Sequence, residues 1–286
     1  MFLTSFHFPD RETEYDVRLH LKTTYDLSMY PFFILSEAGL GDVFFRPITI
    51  LYGGNGSGKS TALNVIAEKV GLKRGAAFNR TRFFDDYLRL CSFSTDGVIP
   101  ENSRIVTSDD VFDMMLDVRS LNDGIQQKRD ELVEDYFKLK KERFQISSLD
   151  DWEHLRLVNR SRQKTLSRFV EGESGRTVRE RSNGESAIMF FRDRMDMDTL
   201  CLLDEPETSL SPENQLALAD YLAESARYCG NQLIISTHSP FLLALPGAKI
   251  IDLDEKAREV DSWTQLKNPR VYYEFFKKHA KAFGES

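Results

Sequence analysis

Leu51-Tyr52-Gly53-Gly54-Asn55-Gly56-Ser57-Gly58-Lys59-Ser60-Thr61 is the stretch around which the chain organises itself. Gly53, Gly58, Lys59 and Ser60 fill every fixed position of G-x-x-x-x-G-K-[ST], with Asn55, Gly56 and Ser57 between them. Ile48-Thr49-Ile50-Leu51, apolar and β-rich, leads in, and a helix-like run from Thr61 to Ala67 leads out. In that strand–loop–helix setting the glycines let successive backbone N–H groups turn inward around a phosphate, where no Cβ would fit. The helix starting near Gly58 adds the positive end of its dipole. Lys59 reaches the outer phosphates, and the Ser60 hydroxyl is a ligand for Mg²⁺. The expected ligand is a nucleoside triphosphate.

The rest of the composition bounds what such a site serves. The 286 residues suit one large domain, or a domain with a substantial insertion, and 41% hydrophobic residues are enough for a core. A formal net charge of -7 argues against a surface that is basic all over, so a nucleic-acid contact would need a local patch or a partner. Cys91, Cys201 and Cys229 lie far apart, without zinc-ligand spacing, which predicts free thiols in a reducing compartment. The first residues, Met1-Phe2-Leu3-Thr4-Ser5-Phe6-His7, lack the character of a signal peptide. No apolar run approaches the ~18 residues a membrane span needs. A cytoplasmic protein with no membrane segment is expected.

Along the chain, residues 1–50 read as strands. Tyr15-Asp16-Val17-Arg18-Leu19-His20-Leu21 alternates apolar and polar, and Tyr30-Pro31-Phe32-Phe33-Ile34-Leu35 and Val43-Phe44-Phe45 are β-rich. An antiparallel β subdomain ahead of the P-loop strand would look like this, its aromatics packing a core. Lys73, Arg74, Arg80 and Arg82 form a small basic cluster, open to a phosphate contact or to a solvated face. Arg104-Ile105-Val106-Thr107 reads as a strand ending in Ser108, Asp109 and Asp110. Residues 119–181 change character: Ile125, Leu132, Tyr136, Leu139 and Phe144 fall near helical spacing among many charges, so a charged helical insertion is expected. Arg156, Arg160, Arg162, Lys164 and Arg168 make Leu155–Val170 the most cationic segment. It reads either as a contact for nucleic acid or an acidic partner, or as a solvated face balanced by Glu131, Glu134 and Asp135.

Leu200-Cys201-Leu202-Leu203-Asp204-Glu205-Pro206 is an apolar run ending in two carboxylates, as a central parallel strand would end at a ligand crevice. Asp204 is the expected acidic partner of Ser60 at Mg²⁺. Glu205 is the expected acceptor of a proton from the water that attacks the γ-phosphate. Gln232-Leu233-Ile234-Ile235-Ser236-Thr237-His238 repeats the design and sets His238 beside the γ-phosphate. Between them, Ser182 is a good N-cap and Gly184 leaves backbone amides open at a helix start.

The ordered motifs, P-loop, Ser182-Asn183-Gly184-Glu185-Ser186, Asp204-Glu205-Pro206-Glu207 with Leu210-Ser211-Pro212, and Ser236-Thr237-His238-Ser239-Pro240, resemble the ABC-type ATPases of the SMC, RecF and OLD kind. The closest resemblance is to short ATPases of that group often labelled AAA-family, some of which occur in bacterial genome defence. The resemblance covers about residues 30 to 255. It implies an α/β P-loop NTPase fold over residues 1–286, an ABC-type ATPase head with the antiparallel β subdomain and the helical insertion. It also implies ATP and Mg²⁺ as ligands and a homodimer closed by ATP, with a partner protein in DNA repair or genome defence. Ser182, Asn183, Gly184 and Glu185 match the signature that contacts ATP held by the other subunit. Ser209-Leu210-Ser211-Pro212 matches the loop that crosses the dimer, and His238 matches the switch histidine. The glutamine loop of the family has no clear match, and the strand end near Asp109 is better placed for it, and for the metal, than Gln126 or Gln127. The insertion allows two helices of roughly 30 Å, too short for a long coiled coil. A nucleotide-binding subunit of a membrane transporter is the alternative, which the signature Ser-Asn-Gly-Glu-Ser disfavours. A stand-alone nuclease lacks a second carboxylate cluster. Beyond Ile250-Ile251-Asp252-Leu253, a last strand, an aromatic-rich helix is expected around Tyr272–Phe276.

Overall fold

The computed structural model describes residues 1–20, 29–141, 183–208, 210–254 and 256–284. The chain divides into two compact units, Met1–Val111 with Asn183–Ser286, and Phe112–Ser182.

The first unit is built on two sheets. The larger has six strands in the order β5-β6-β7-β3-β8-β9: β3 (Ile48–Tyr52), β5 (Arg104–Thr107), β6 (Leu200–Asp204), β7 (Gln232–Thr237), β8 (Lys249–Asp252) and β9 (Arg258–Val260). All neighbours run parallel except β9, which pairs antiparallel with β8. β3 and β7 are buried along their whole length, because Ile48-Thr49-Ile50-Leu51 and Leu233-Ile234-Ile235 are apolar on both faces, as strands covered on both sides must be. The smaller sheet, β2 (Asp42–Phe44), β1 (Leu3–His7) and β4 (Ser92–Thr95), is antiparallel throughout. One buried side chain ties the two sheets together. Gln232, the first residue of β7, accepts from the Phe2 and Leu3 N–H groups, both at 2.8 Å, and donates to the Leu3 carbonyl at 2.7 Å. All three bonds of this amide are to backbone groups of Phe2 and Leu3.

The helices of this unit are α1 (Arg11–His20), α2 (Ile34–Glu37), α3 (Lys59–Val70), α4 (Phe84–Leu90), the start of α5 (Ser108–Lys141), α6 (Asn183–Arg194), α7 (Pro212–Tyr228), α8 (Pro240–Leu243) and α9 (Lys267–Lys278). α3 carries Ala62, Leu63, Val65, Ile66 and Ala67 into one core with Leu51, Leu202 and Ile234 of the large sheet and Phe6, Phe8 and Phe84. Each large apolar side chain buried there contributes about 1.5–3 kcal/mol. Phe6, Phe8, Phe32 and Phe45 are core, as expected, whereas Phe44 and Tyr15 are exposed; Phe6 and Phe8 lie tilted with centroids 4.6 Å apart, and Phe32 meets Tyr87 edge-on at 5.2 Å. All three cysteines are free, and burial pushes the Cys91 thiol up to about 12.

Three expectations about individual elements are corrected. Tyr15–Leu21 alternates like a strand, yet its described residues belong to helix α1. Asp10 caps that helix by accepting from the Thr13 N–H at 2.8 Å. Glu14, one turn on, is buried and accepts from Phe33 N–H (2.9 Å) and the Ser36 hydroxyl (2.5 Å), while Leu19, read as an inward residue, is 80% exposed. Tyr30–Leu35 is a turn followed by α2, because Pro31 has no N–H for a ladder and Phe33 takes a left-handed backbone with φ 68°. Ile250–Leu253 is not the last strand, since β9 pairs beyond it, with Ile250 opposite Val260.

In the second unit the described residues are those of α5. This helix, expected from residue 119, already begins at Ser108, where Asp110 accepts from the Thr107 N–H (2.8 Å) and hydroxyl (2.9 Å). Its exposed polar face carries local pairs, Gln126 to Asp130 at 3.1 Å and Lys138 to Glu134 at 3.6 Å. The cationic stretch Arg156–Arg168 and Ser182 lie outside the described residues. No helix among the described residues is long and apolar enough to cross a membrane.

Candidate nucleotide-binding site

Register builds the site. Thr107 pairs with Asp204, Asp204 with Ser236, and Ser236 with Leu51, so the carboxyl ends of β5, β6, β7 and β3 come into one row. A ligand crevice belongs just past such a row. The loop after β3 is shaped by glycines. A Cβ on Gly53 would come 2.4 Å from the Ser57 hydroxyl, and Gly58, at φ 93°, would place one 3.0 Å from a Leu35 methyl. Gly58 is also the N-cap of α3, so the helix amides open toward the loop.

Lys59 is the first residue of α3, with its side chain 4% exposed. Its ammonium donates to the Gly53 and Gly54 carbonyls at 2.7 and 2.9 Å and lies 3.5 Å from Glu205 Oε1. A buried cation held on carbonyls and one carboxylate is satisfied without being locked into a tight ion pair, which leaves it able to turn to phosphate oxygens. The Ser60 hydroxyl donates to Asp204 at 3.0 Å, and the Ser236 hydroxyl donates to the same carboxylate oxygen. Burial raises the Asp204 pKa, opposed by those two hydroxyls and by Lys59. A bound cation would reverse that shift by supplying the missing positive charge.

Glu205 sits in a left-handed backbone, φ 46°, with its N–H held by the Ser236 carbonyl (3.0 Å) and hydroxyl (3.1 Å). That strained conformation turns its carboxylate out of the strand line and toward both Lys59 and His238, whose Nδ1 lies 3.9 Å away. His238 is itself positioned by Glu207. The Glu207 Oε1 accepts from the Thr237 hydroxyl (2.5 Å), the His238 N–H (3.1 Å) and the Ser239 N–H (3.3 Å), and burial raises its pKa. Ser239, capping α8, donates to Gln215 Oε1 at 2.7 Å and so binds this turn to α7.

The structure thus brings Lys59, Ser60, Asp204, Glu205 and His238 of the expected set together. Asp109 is exposed and enters none of these contacts; its neighbour Asp110 is the residue held at the strand end, by the Thr107 groups and the Ala76 N–H. Asn183, Gly184 and Glu185 form the first turn of α6, where the N-cap pattern predicts a helix start. The basic cluster is largely spent internally: Arg74 pairs with Glu68 at 3.1 Å and stacks on Phe78, and Arg80 pairs with Glu68 and Asp85.

Three further positions hold the crevice together with little signal in the sequence. Ser236 and Glu207 lie within the motifs at the ends of β7 and β6 and hold Asp204, Glu205 and the His238 backbone. Asp254, two residues past β8, accepts from the Gly54 N–H at 2.6 Å and so fixes the loop from the far side. Its only signal was an acidic residue at another strand end. Asp254→Ala should therefore weaken nucleotide affinity about tenfold, the effect of losing one charge-assisted bond to a loop amide. Titration with a fluorescent ATP analogue measures it, and unchanged affinity would show that the loop holds its shape without Asp254.

The donor set fits a Mg²⁺–triphosphate ligand. Ser60 and Asp204 offer hard oxygens of the kind that bind Mg²⁺ through one carboxylate and substrate phosphates. The Ser57 hydroxyl is buried without a hydrogen-bond partner at the mouth of the loop.

Solved structures similar to this chain include a nucleotide-free ATP-binding cassette from an ABC transporter (13% identity, 95% of this chain and 96% of that chain, TM-score 0.41). An inward-facing metal-chelate type ABC transporter is similar at 15% identity (96% and 88% of the two chains, TM-score 0.41). An Smc head domain with an extended coiled coil, bound to the C-terminal domain of ScpA and derived from Pyrococcus furiosus, is similar at 14% identity (82% and 94%, TM-score 0.40). No curated protein matches the sequence. Residues 179–243, which hold the carboxylate pair and the histidine, match the family described as AAA ATPase domain.

Proposed function

We propose that this protein is an ATPase of the ABC/SMC type that works as a homodimer closed by ATP. The observation that carries the reading is the meeting of Lys59, Ser60, Asp204, Glu205 and His238 at the carboxyl ends of three parallel strands.

In this reading Lys59 leaves the Gly53 and Gly54 carbonyls for the outer phosphates, and the loop amides from Asn55 to Thr61 cradle them. Ser60 and Asp204 hold Mg²⁺, which when bound neutralises phosphate charge. Glu205 orients the attacking water and takes its proton, with Lys59 and His238 within 4 Å setting the charge around it. His238 hydrogen-bonds the γ-phosphate, its ring placed by the Glu207 grip on its backbone. The first turn of α6, Asn183 to Glu185, with Ser182 before it, completes the site of a second copy. Closure excludes bulk water from the reacting phosphoryl group. On the resemblance to SMC, RecF and OLD ATPases, the dimer regulates a partner protein in DNA repair or genome defence, and Arg156–Arg168 is a candidate nucleic-acid contact.

The dimer makes a kinetic statement. Turnover per chain should rise with protein concentration until it saturates, because each site needs a second copy to close. A rate per chain that is constant over about a hundredfold dilution would mean that one copy suffices.

A further inference from the structure

The carboxyl-terminal helix does something the nucleotide site does not require. Tyr272, Tyr273, Phe275 and Phe276 of α9 are each half or more exposed. They are flanked by Lys267 and Arg270 before them and Lys277 and Lys278 after them, with Glu274 among them, in a chain whose net charge is -7. Tyr272, Tyr273 and Phe276, with Trp263, line a cavity of about 490 Å³ whose lining also includes Glu207 and His238. Glu207 is 5% exposed, and its Oε2, like His238 Nδ1, is buried without a hydrogen-bond partner. A cavity lined by aromatics and by a residue with an unsatisfied acceptor suits a flat group that carries an N–H. Arg270 and Lys277 lie seven residues apart, nearly in line on the helix, and the Lys277 ammonium sits 5.6 Å from the Tyr273 ring centre.

We propose that this cavity and the flanking α9 cations bind single-stranded nucleic acid, one base stacking among Trp263, Tyr273 and Phe276 with its N–H edge toward Glu207, and adjacent phosphates meeting Arg270 and Lys277. Stacking on aromatics beside a cationic track is the chemistry by which single strands are held without a sequence code. A membrane surface would offer no N–H to the unpaired Glu207 oxygen in the lining of this cavity.

The test is fluorescence anisotropy of the full chain with a labelled 12-nucleotide single-stranded DNA rich in guanine and thymine, whose bases carry ring N–H groups. Tyr273→Ala with Phe276→Ala should weaken binding at least about tenfold. Arg270→Ala with Lys277→Ala should weaken it and flatten the salt dependence by about 1.4 in log–log slope, the loss of two phosphate contacts on a single strand. Both variants should keep the wild-type melting temperature and ATP affinity. Equal binding by wild type and both variants, or no binding at micromolar protein, overturns the proposal. Binding to phosphatidylcholine–phosphatidylglycerol vesicles in place of the oligonucleotide, or self-association lost in the aromatic variant, overturns it in favour of a membrane or a second copy.

Discussion

Glu205→Gln should bind ATP within about threefold of the wild type and hydrolyse it about a hundred- to ten-thousandfold more slowly, the range that a positioned general base contributes. The amide has the carboxylate's shape and the same tolerance of the left-handed backbone at φ 46°, so the loop from Glu205 to Leu210 should keep its form. What it loses is the capacity to accept a proton, and the negative charge 3.5 Å from the Lys59 ammonium. Burst and steady-state phosphate release, measured beside nucleotide affinity, separate the two quantities. Turnover near the wild-type rate would remove Glu205 as the base and leave His238 as the candidate.

Lys59→Ala should lose about a hundredfold or more in ATP affinity, because among the described residues no other side chain brings a buried positive charge to the phosphate loop. The substitution also leaves the Gly53 and Gly54 carbonyls without their donor, at about 1–3 kcal/mol for a buried group left unpaired. Melting temperature therefore has to be read together with the titration. A folded Lys59→Ala protein with wild-type affinity would sink the loop assignment.

What was legible in the sequence was what covalent spacing and burial on both faces dictate. Gly53 to Ser60 cannot be a phosphate cradle without a strand before and a helix after, and β3 and α3 are there. Apolar runs ending in Asp204 and His238 had to be parallel interior strands, and the register sets their ends side by side. The helix α1 was misread because its exposed Leu19 and half-exposed Tyr15 mimic alternation, while the residue that fixes it is a buried glutamate, which periodicity counts as outward. Long-range polar contacts were invisible for a related reason. Asp254 reaches Gly54 across 200 residues, and Glu207 acts on His238 across 31, so neither shows in local spacing. Ser236, which braces both Asp204 and Glu205, looked like one more polar residue at a strand end.

The most direct measurement is the solution mass of Glu205→Gln, by light scattering, with and without ATP and Mg²⁺. Because this variant holds ATP without consuming it, a closed sandwich should accumulate, and the mass should move from about 33 kDa to twice that only when the nucleotide is present. A mass that stays at one copy with ATP bound would contradict the shared site.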